Sequence, residues 1–252
     1  MIYSIQNASI WKRMSAWLLD FIILLILATG FAFVMSVITN YNHFDEELKK
    51  CYEQYEEEYG LKIDITNAEY EELPEEEQQK YQDMFKAINE DQNILYYYNT
   101  TINLMMLISS IGVFLAVLIS EFVIPLILKN GQTLGKKIFA IGVVKSTNAV
   151  RITHVQLFVR SILGKYAIEL MVPILLSILI FTGHGNFIFV VLLMGLIIFQ
   201  IMLCIFTSKR QPIHDVLAYT VVIDMQTQMI FDSEEQLLEY KKNNHLEEVK
   251  NN

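Results

Sequence analysis

Three acidic side chains lie inside long apolar stretches of this sequence, where an ionised group is costly unless it has a partner or water. They are Asp20, Glu121 and Glu169. At the helical rise of about 1.5 Å per residue, Asp20 lies roughly 10 Å from the start of its helix and Glu121 roughly 10 Å from the end of an antiparallel one, so the two reach similar depths from the same side. Glu169 lies a little shallower. Arg13 precedes Asp20 by two helical turns and shares its face. The spacing therefore predicts a polar cluster within a helical bundle.

Such a cluster supports two kinds of chemistry. Grouped carboxylates raise one another's proton affinity, so one proton could be exchanged for a small cation. Alternatively, Arg160 and Lys165, which shortly precede Glu169, neutralise the acids and lock the helix ends together. The sequence favours the structural interpretation, because charged side chains near an interface can reach it with their long stems. Both interpretations remain open at this level.

The elements that must position these acids are apolar blocks of membrane-spanning length. The blocks cover residues 16–38, 102–128, 167–182 and 187–206, in a chain that is 53% hydrophobic and 19% charged. They predict an all-α polytopic membrane protein with four transmembrane helices. The third block is the shortest and contains Pro173, so a re-entrant pair formed with the fourth block is the alternative.

Basic residues set the predicted orientation, because lysine and arginine near a span resist translocation. Seven positive charges and no acid lie between the second and third blocks: Lys129, Lys136, Lys137, Lys145, Arg151, Arg160 and Lys165. We expect that loop and both termini to be cytoplasmic, in a protein of the plasma membrane. The loop at 39–100 then lies outside the cell.

That outer loop is strongly acidic, with 17 acids against five lysines. Two helices are expected in it, at 44–59 and after Leu73, each with an apolar stripe that could rest on the membrane face. The stripes are Leu48, Tyr52, Tyr55 and Tyr59 in the first, and Tyr81, Met84, Phe85 and Ile88 in the second. The loop is predicted to be an extracytoplasmic helical insert, either simply solvated or bound to a protein partner. No nucleic-acid partner is expected.

On the other side, β-branched runs at 138–145, 149–153 and 219–225 predict a small cytoplasmic sheet. An interfacial helix capped by Thr153 is expected at 154–163. The chain then divides into an N-terminal segment with the first span (1–38), the acidic loop (39–100), a membrane core (101–225) and a polar cytoplasmic tail (226–252).

Catalytic patterns are weak. The run from Gly131 to Lys137 has three residues between its glycines and lacks a Ser or Thr after Lys136, unlike a phosphate-binding loop. The histidines are scattered, and Cys51 and Cys204 lie in different regions, so neither a metal site nor a disulfide framework is expected. We therefore expect a non-enzymatic protein without a cofactor.

Three ordered motifs carry a resemblance to a known family. Arg13, Ala16 and Asp20 form an R-x-x-A-x-x-x-D pattern. Gly131, Thr133, Gly135 and Lys136 form a G-x-T-x-G-K loop. His214 and Asp215 precede Thr220-Val221-Val222. Together these motifs resemble the RDD family of small membrane proteins, called after an arginine and two aspartates, although the acidic loop is longer than is usual there.

The resemblance implies a fold more than an activity. Most of the family has no assigned role, and a few members are described as sodium or other monovalent cation/proton antiporters. Carried over, the signature residues are Arg13, Asp20 and Asp215, with Asp215 at the cytoplasmic mouth beside Arg13 or Lys209. The sequence thus predicts a multi-pass membrane protein with a structural polar cluster and a binding role, or alternatively a Na⁺/H⁺-type exchanger that uses Asp20 and Glu121.

Overall fold

The computed structural model describes residues 5–128, 130–183, 185–207 and 209–250, the last seven of these without their side chains. Lys129 and His184, which the sequence places in loops, lie outside the described residues. The chain forms two compact units, one of residues 1–31 and 110–252 and the other of residues 32–109. The first unit contains the motifs named above, and the second contains the acidic loop.

Ten helices and two strands make up the described chain. In order they are α1 (Ile10–Ile38), α2 (Tyr41–Tyr59), α3 (Asn67–Glu72), α4 (Glu75–Glu90), α5 (Gln92–Leu128), α6 (Leu134–Ile138), β1 (Ile141–Lys145), α7 (His154–Phe181), α8 (Phe187–Phe206), α9 (Ile213–Leu217), β2 (Thr220–Asp224) and α10 (Glu234–Lys250).

Four of these helices, α1, α5, α7 and α8, are long and apolar enough to cross a membrane. The prediction of four transmembrane helices is therefore confirmed. The separate interfacial helix expected at 154–163 is wrong, because those residues form the first turns of α7. Its expected cap is present. Thr153 accepts a hydrogen bond from the Gln156 backbone N–H, and the Gln156 side chain accepts one from the Thr153 N–H.

Helices α5 and α7 each contain a π-helical segment just before a proline, Leu118–Val123 before Pro125 and Val159–Met171 before Pro173. A proline cannot donate to the carbonyl four residues earlier and clashes with it, so a wider turn relieves the conflict. At the end of the first segment, the Ile124 N–H donates to the Ile119 carbonyl, five residues back.

The sheet has two antiparallel strands, β1 and β2, with Ile141 opposite Asp224 and Lys145 opposite Thr220. The prediction of a third strand at 149–153 is wrong. That run joins the sheet only through an isolated bridge between Val144 and Arg151, because Ala149 and Val150 pack against Phe231 and Leu237 instead. The contact with Leu237 attaches α10 to the loop after β1.

Two of the apolar clusters in the first unit attach α1 to its other elements. One joins α1 to the sheet through Ala8, Ala16, Ile141, Val143 and Val222. The other joins α1 to α5 through Leu24, Ala116 and Val117. The N-terminal segment also extends the sheet, because the Ala8 N–H donates to the Val222 carbonyl at 3.1 Å. The start of α1 is thereby fixed relative to β2.

The second unit is a hairpin in which α2 packs against α4. The two predicted apolar stripes, apart from the exposed Phe85, face one another and form its core, which contains Leu48, Tyr81, Met84 and Ile88. The short helix α3 was not predicted, although Thr66 and Glu69 give it a reciprocal cap. The acidic insert therefore has a hydrophobic core of its own.

Candidate functional site: a buried charge cluster

Nine ionisable side chains from five helices form a buried cluster, here called the polar cluster. Its members are Arg13, Asp20, Glu121, Lys136, Arg160, Lys165, Glu169, His214 and Asp215. Asp20, Glu121, Lys136, Arg160 and Asp215 are each at most 9% exposed. Four carboxylates thus meet four cations, and the histidine is the ninth member. The cluster balances its own charge.

Asp20 is held by the start of α6. Its Oδ1 accepts a hydrogen bond from the Gly135 backbone N–H at 2.8 Å, and its Oδ2 accepts one from the Thr133 hydroxyl. Thr133 also caps α6 by accepting from the Lys136 N–H. The G-x-T-x-G-K loop therefore binds an anion through backbone and hydroxyl donors, and that anion is a carboxylate of the same chain.

The close approach of this loop to α1 requires small residues on both sides. A Cβ at Gly135 would lie 2.3 Å from the Ala16 carbonyl oxygen and 2.9 Å from the Asp20 carboxyl. Ala16 itself is 1% exposed. The alanine, aspartate and glycine of the motifs are thus parts of one contact.

Glu121 lies between two lysines. Lys165 donates directly to Glu121 Oε1, and the Lys136 Nζ lies 3.8 Å from Oε2. Burial lowers the pKa of Lys136 to about 8, although the charge of Glu121 opposes this shift. Lys136 therefore joins the Glu121 pair to the loop that holds Asp20.

Asp215 is the most deeply buried acid of the cluster, at 0% exposed. Its Oδ1 lies 2.9 Å from Arg160 Nε and accepts a hydrogen bond from the Thr220 hydroxyl at 2.6 Å. Arg13 is more distant, with its Nη2 3.9 Å from Oδ2. Burial alone would raise the pKa of Asp215, but Arg160, His214, Thr220 and Arg13 together hold it at about 2.

Glu169 and His214 complete the cluster. Glu169 accepts hydrogen bonds from the His214 backbone N–H at 3.0 Å and from its ring Nδ1 at 2.8 Å. The other ring nitrogen, Nε2, lies 3.2 Å from an Arg160 Nη2. His214 thus connects Glu169 to the Arg160 and Asp215 pair.

Gly164 allows this last contact. A Cβ at position 164 would lie 2.6 Å from the His214 Cα, so only glycine lets α9 approach α7 there. The short helix α9 carries both His214 and Asp215. The position of Gly164 therefore sets the position of both side chains.

The structure brings together every acid that the sequence singled out, and of the two partners expected for Asp215 it places Arg13 nearby. Arg13 approaches Asp215, whereas Asp20 is held by α6. Lys209, the other candidate partner of Asp215, donates to the Ser146 carbonyl at 2.7 Å. Gln200 of α8 accepts a hydrogen bond from the Ile213 N–H at the start of α9.

Sequence reasoning missed the role of Arg160 as the nearest cation to Asp215 and the role of His214. One signal was available. Glu121 and Glu169 each lie four residues before a proline, Pro125 and Pro173, and each lies in a π-helical segment. The repeated Glu-x-x-x-Pro spacing marks two helices that widen where they carry an inward carboxylate.

Among the described residues, no group of three or more His, Cys, Asp and Glu side chains could hold a metal ion. Each carboxylate of the cluster instead faces a cation or the start of a helix. The arrangement can fix helix ends in place, and it offers few free ligand atoms to a further cation.

Four helices of membrane-spanning length, three of which (α1, α5 and α7) carry members of a buried, balanced charge cluster, define a multi-pass membrane protein. The comparison with family models places it more closely: the chain belongs to the RDD family, whose model matches residues 7–219. The match covers all three motifs except Thr220-Val221-Val222, as well as the acidic insert. Searches of curated proteins and of solved structures find no match.

The glycine at 135 provides a test of the contact between the loop and α1. We expect Gly135→Ala to lower the free energy of unfolding by about 1 to 3 kcal/mol, the usual cost of forcing extra atoms into a packed site. Thermal unfolding of the purified protein in one detergent measures the change. Gly195→Ala on α8 is the matched control, because a Cβ there meets nothing within 4 Å. An equal, small effect of both alanines would contradict the contact.

Proposed function

We propose that this protein is a non-enzymatic membrane protein in which the polar cluster is structural and the acidic hairpin is the surface that binds a partner. The observation that supports this most is the pairing of each buried carboxylate. A carboxylate that exchanges ions needs free oxygen atoms, whereas those of Asp20 are both occupied by donors of α6. Removing one partner of a buried ion pair destabilises the fold, as expected if these pairs hold the helix ends together.

The proposal keeps the orientation that the basic residues suggest, with both termini in the cytoplasm and the hairpin outside the cell. The hairpin supports a binding role because it has its own hydrophobic core and an acidic surface. A basic protein partner would fit that charge. A crosslinking test should use an exposed position of α2 such as Glu53, as Glu53→Cys in a Cys51→Ala background.

Cys51 itself is a poor probe for this purpose. It packs against the hairpin core, and burial raises the pKa of its thiol. Thiolate is the reactive form, so a raised pKa slows labelling at neutral pH. Adducts formed by Glu53→Cys but not by a matched cysteine at Lys242 in α10 would support the hairpin as the binding surface. Equal capture by both would count against it.

The second candidate function is monovalent cation/proton exchange. One observation favours it: Asp20, Glu169 and Lys136 all line one cavity, and the pKa of Lys136 is about 8, so Lys136 could gain and lose a proton near neutral pH. This would use Lys136 as the proton carrier and the neighbouring acids as cation ligands.

A flux assay separates the two functions. We expect purified protein in liposomes to show no proton flux above empty liposomes when sodium, lithium or potassium gradients are imposed. If the wild type shows flux, and Asp20→Asn abolishes it while the amount of reconstituted protein is unchanged, the exchanger is correct and the structural proposal fails. Glu234→Gln, an exposed acid of α10 paired with Lys145 at 3.3 Å, is the control.

A further inference from the structure

The polar cluster forms one end of a cavity of about 690 Å³ within the first unit. Its walls are largely apolar and come from α1, α7 and α8. They include Met14, Trp17, Phe21, Leu24, Leu170, Pro173, Leu196, Ile197, Ile201 and Ile205. A volume of this size is typical of sites for small organic ligands. The cavity thus joins an apolar chamber to a charged end.

The cavity opens toward the outside of the helices. Trp17, Ile201 and Ile205 line it and are also 56%, 52% and 60% exposed. Helix α8 packs chiefly against α7. Since these helices are of membrane-spanning length, the open side faces hydrocarbon. An occupant can therefore enter from the bilayer and must have an apolar part.

The charged end has an excess of cations. Five cations and three carboxylates line the cavity, namely Arg13, Lys136, Arg160, Lys165 and Arg210 against Asp20, Glu169 and Asp215. Lys136 and Lys165 are paired with Glu121 behind the wall, and Arg160 is paired with Asp215. With Glu121 counted, five cations meet four carboxylates, and the one positive charge in excess comes from Arg210, which lines the cavity together with Arg13.

These two arginines are incompletely partnered. The Nη1 of Arg13 is buried without a hydrogen-bond acceptor, and its nearest carboxylate is 3.9 Å away and already held by Arg160. Among the described residues, Arg210 has no acid within ion-pair distance. Both guanidinium groups line the cavity, that of Arg13 largely buried and that of Arg210 exposed. An anion bound at this end would give the buried Arg13 Nη1 the acceptor that it lacks.

We infer that the cavity binds an acidic phospholipid from the surrounding leaflet, with its phosphate between Arg13 and Arg210 and an acyl chain between α1 and α8. Guanidinium groups bind phosphate oxygens in pairs of parallel hydrogen bonds, which suits this end of the cavity. The apolar walls supply the burial that holds the chain. This site is independent of the proposed partner surface on the acidic hairpin.

Native mass spectrometry of the full-length protein, titrated with phosphatidylglycerol and phosphatidylcholine of identical chains, tests the inference. We expect a clear preference for phosphatidylglycerol. Arg210→Gln should weaken phosphatidylglycerol binding about tenfold, the effect of losing one charge-assisted contact. Lys209→Gln is the matched control, since Lys209 is exposed and outside the cavity, and should leave binding unchanged.

Two further measurements test whether the site binds a whole lipid rather than its phosphate alone. Ile201→Trp, which fills the apolar part and leaves the charge intact, should also weaken phosphatidylglycerol binding. Inorganic phosphate alone should not raise the melting temperature. Equal binding of the two lipids, an Arg210→Gln variant that binds like the wild type, or a full response to inorganic phosphate would each overturn the lipid site. Unchanged melting of Arg210→Gln without added lipid shows that the variant is folded.

Discussion

Asp215→Asn is expected to lower the free energy of unfolding by about 3 to 5 kcal/mol, because it leaves the buried guanidinium of Arg160 without its counter-ion. Asp215 is fully buried, and its Oδ1 lies 2.9 Å from Arg160 Nε. The Thr220 hydroxyl would lose its charged acceptor as well. Chemical or thermal unfolding in a single detergent, with the melting of α-helix as the signal, measures the loss.

Two controls distinguish the loss of this pair from a general effect of charge. Glu234→Gln removes one partner of the exposed Lys145 pair and should change stability by at most about 1 kcal/mol. Adding Arg160→Met to Asp215→Asn should recover part of the loss, because the uncompensated charge is then gone. An Asp215→Asn protein as stable as the wild type would show that the polar cluster does not stabilise the fold.

The same pair gives a pH dependence of known sign. The pKa of Asp215 is about 2 in the folded protein and 3.8 in its ordinary range. The folded state therefore gains stability from this carboxylate above pH 3.8, and the gain is lost as the pH falls toward 2. The Asp215→Asn variant lacks that component, so its stability should change less than that of the wild type over this interval.

The largest expected effect on pH behaviour comes from Glu121→Gln. This change leaves Lys136 and Lys165 together without the carboxylate that lies between them. We expect a loss of about 3 to 5 kcal/mol at neutral pH, as for other buried pairs that lose one partner. Because Glu121 is the main group that raises the pKa of Lys136, that pKa should fall further below about 8.

The sign of the pH effect follows from linkage. A lysine whose pKa is lowered by folding binds its proton less well in the folded state, so stability increases as the pH rises from the folded pKa toward 10.5. In the wild type this increase should begin near pH 8, and in Glu121→Gln it should begin lower. Melting temperatures from pH 6 to 10 measure both curves. Superimposable curves would contradict the pairing of Lys136 with Glu121.

The sequence was sufficient to predict that the acids of the first two spans come together. The helical rise places Asp20 and Glu121 at one level, and both are now found beside Lys136, one through α6 and one through its ion pair. Length and hydropathy were likewise sufficient for the four spans, because the thickness of a bilayer fixes the length of an apolar helix.

The choice of partners could not be predicted in the same way. Seven basic residues lie between the second and third apolar blocks, and spacing alone does not say which of them turns inward. Arg160 does so because α7 begins at His154 and runs on into the membrane span, which places Arg160 on the inner face near α9. The sequence interpretation had ended a separate helix just beyond that residue.

The role of the small residues was also hidden. Glycine at 135 and 164 matters because of distant segments, Ala16 in one case and His214 in the other. Neither contact leaves a local pattern in the chain. The prediction of a third strand was wrong for a related reason. Ala149 and Val150 pack against Phe231 and Leu237, which lie far along the sequence, and so do not extend the pairing with β1.

The account depends on the carboxylates of the polar cluster staying ionised and paired whatever the salt, and infrared difference spectroscopy of the reconstituted protein tests this directly. Spectra recorded before and after addition of sodium, lithium or potassium at neutral pH should show no change in carboxyl or carboxylate bands that is removed by Asp20→Asn or Glu121→Gln. A protonated carboxyl band that disappears on addition of sodium, and is missing in either variant, would contradict the account and establish a cation/proton exchange site.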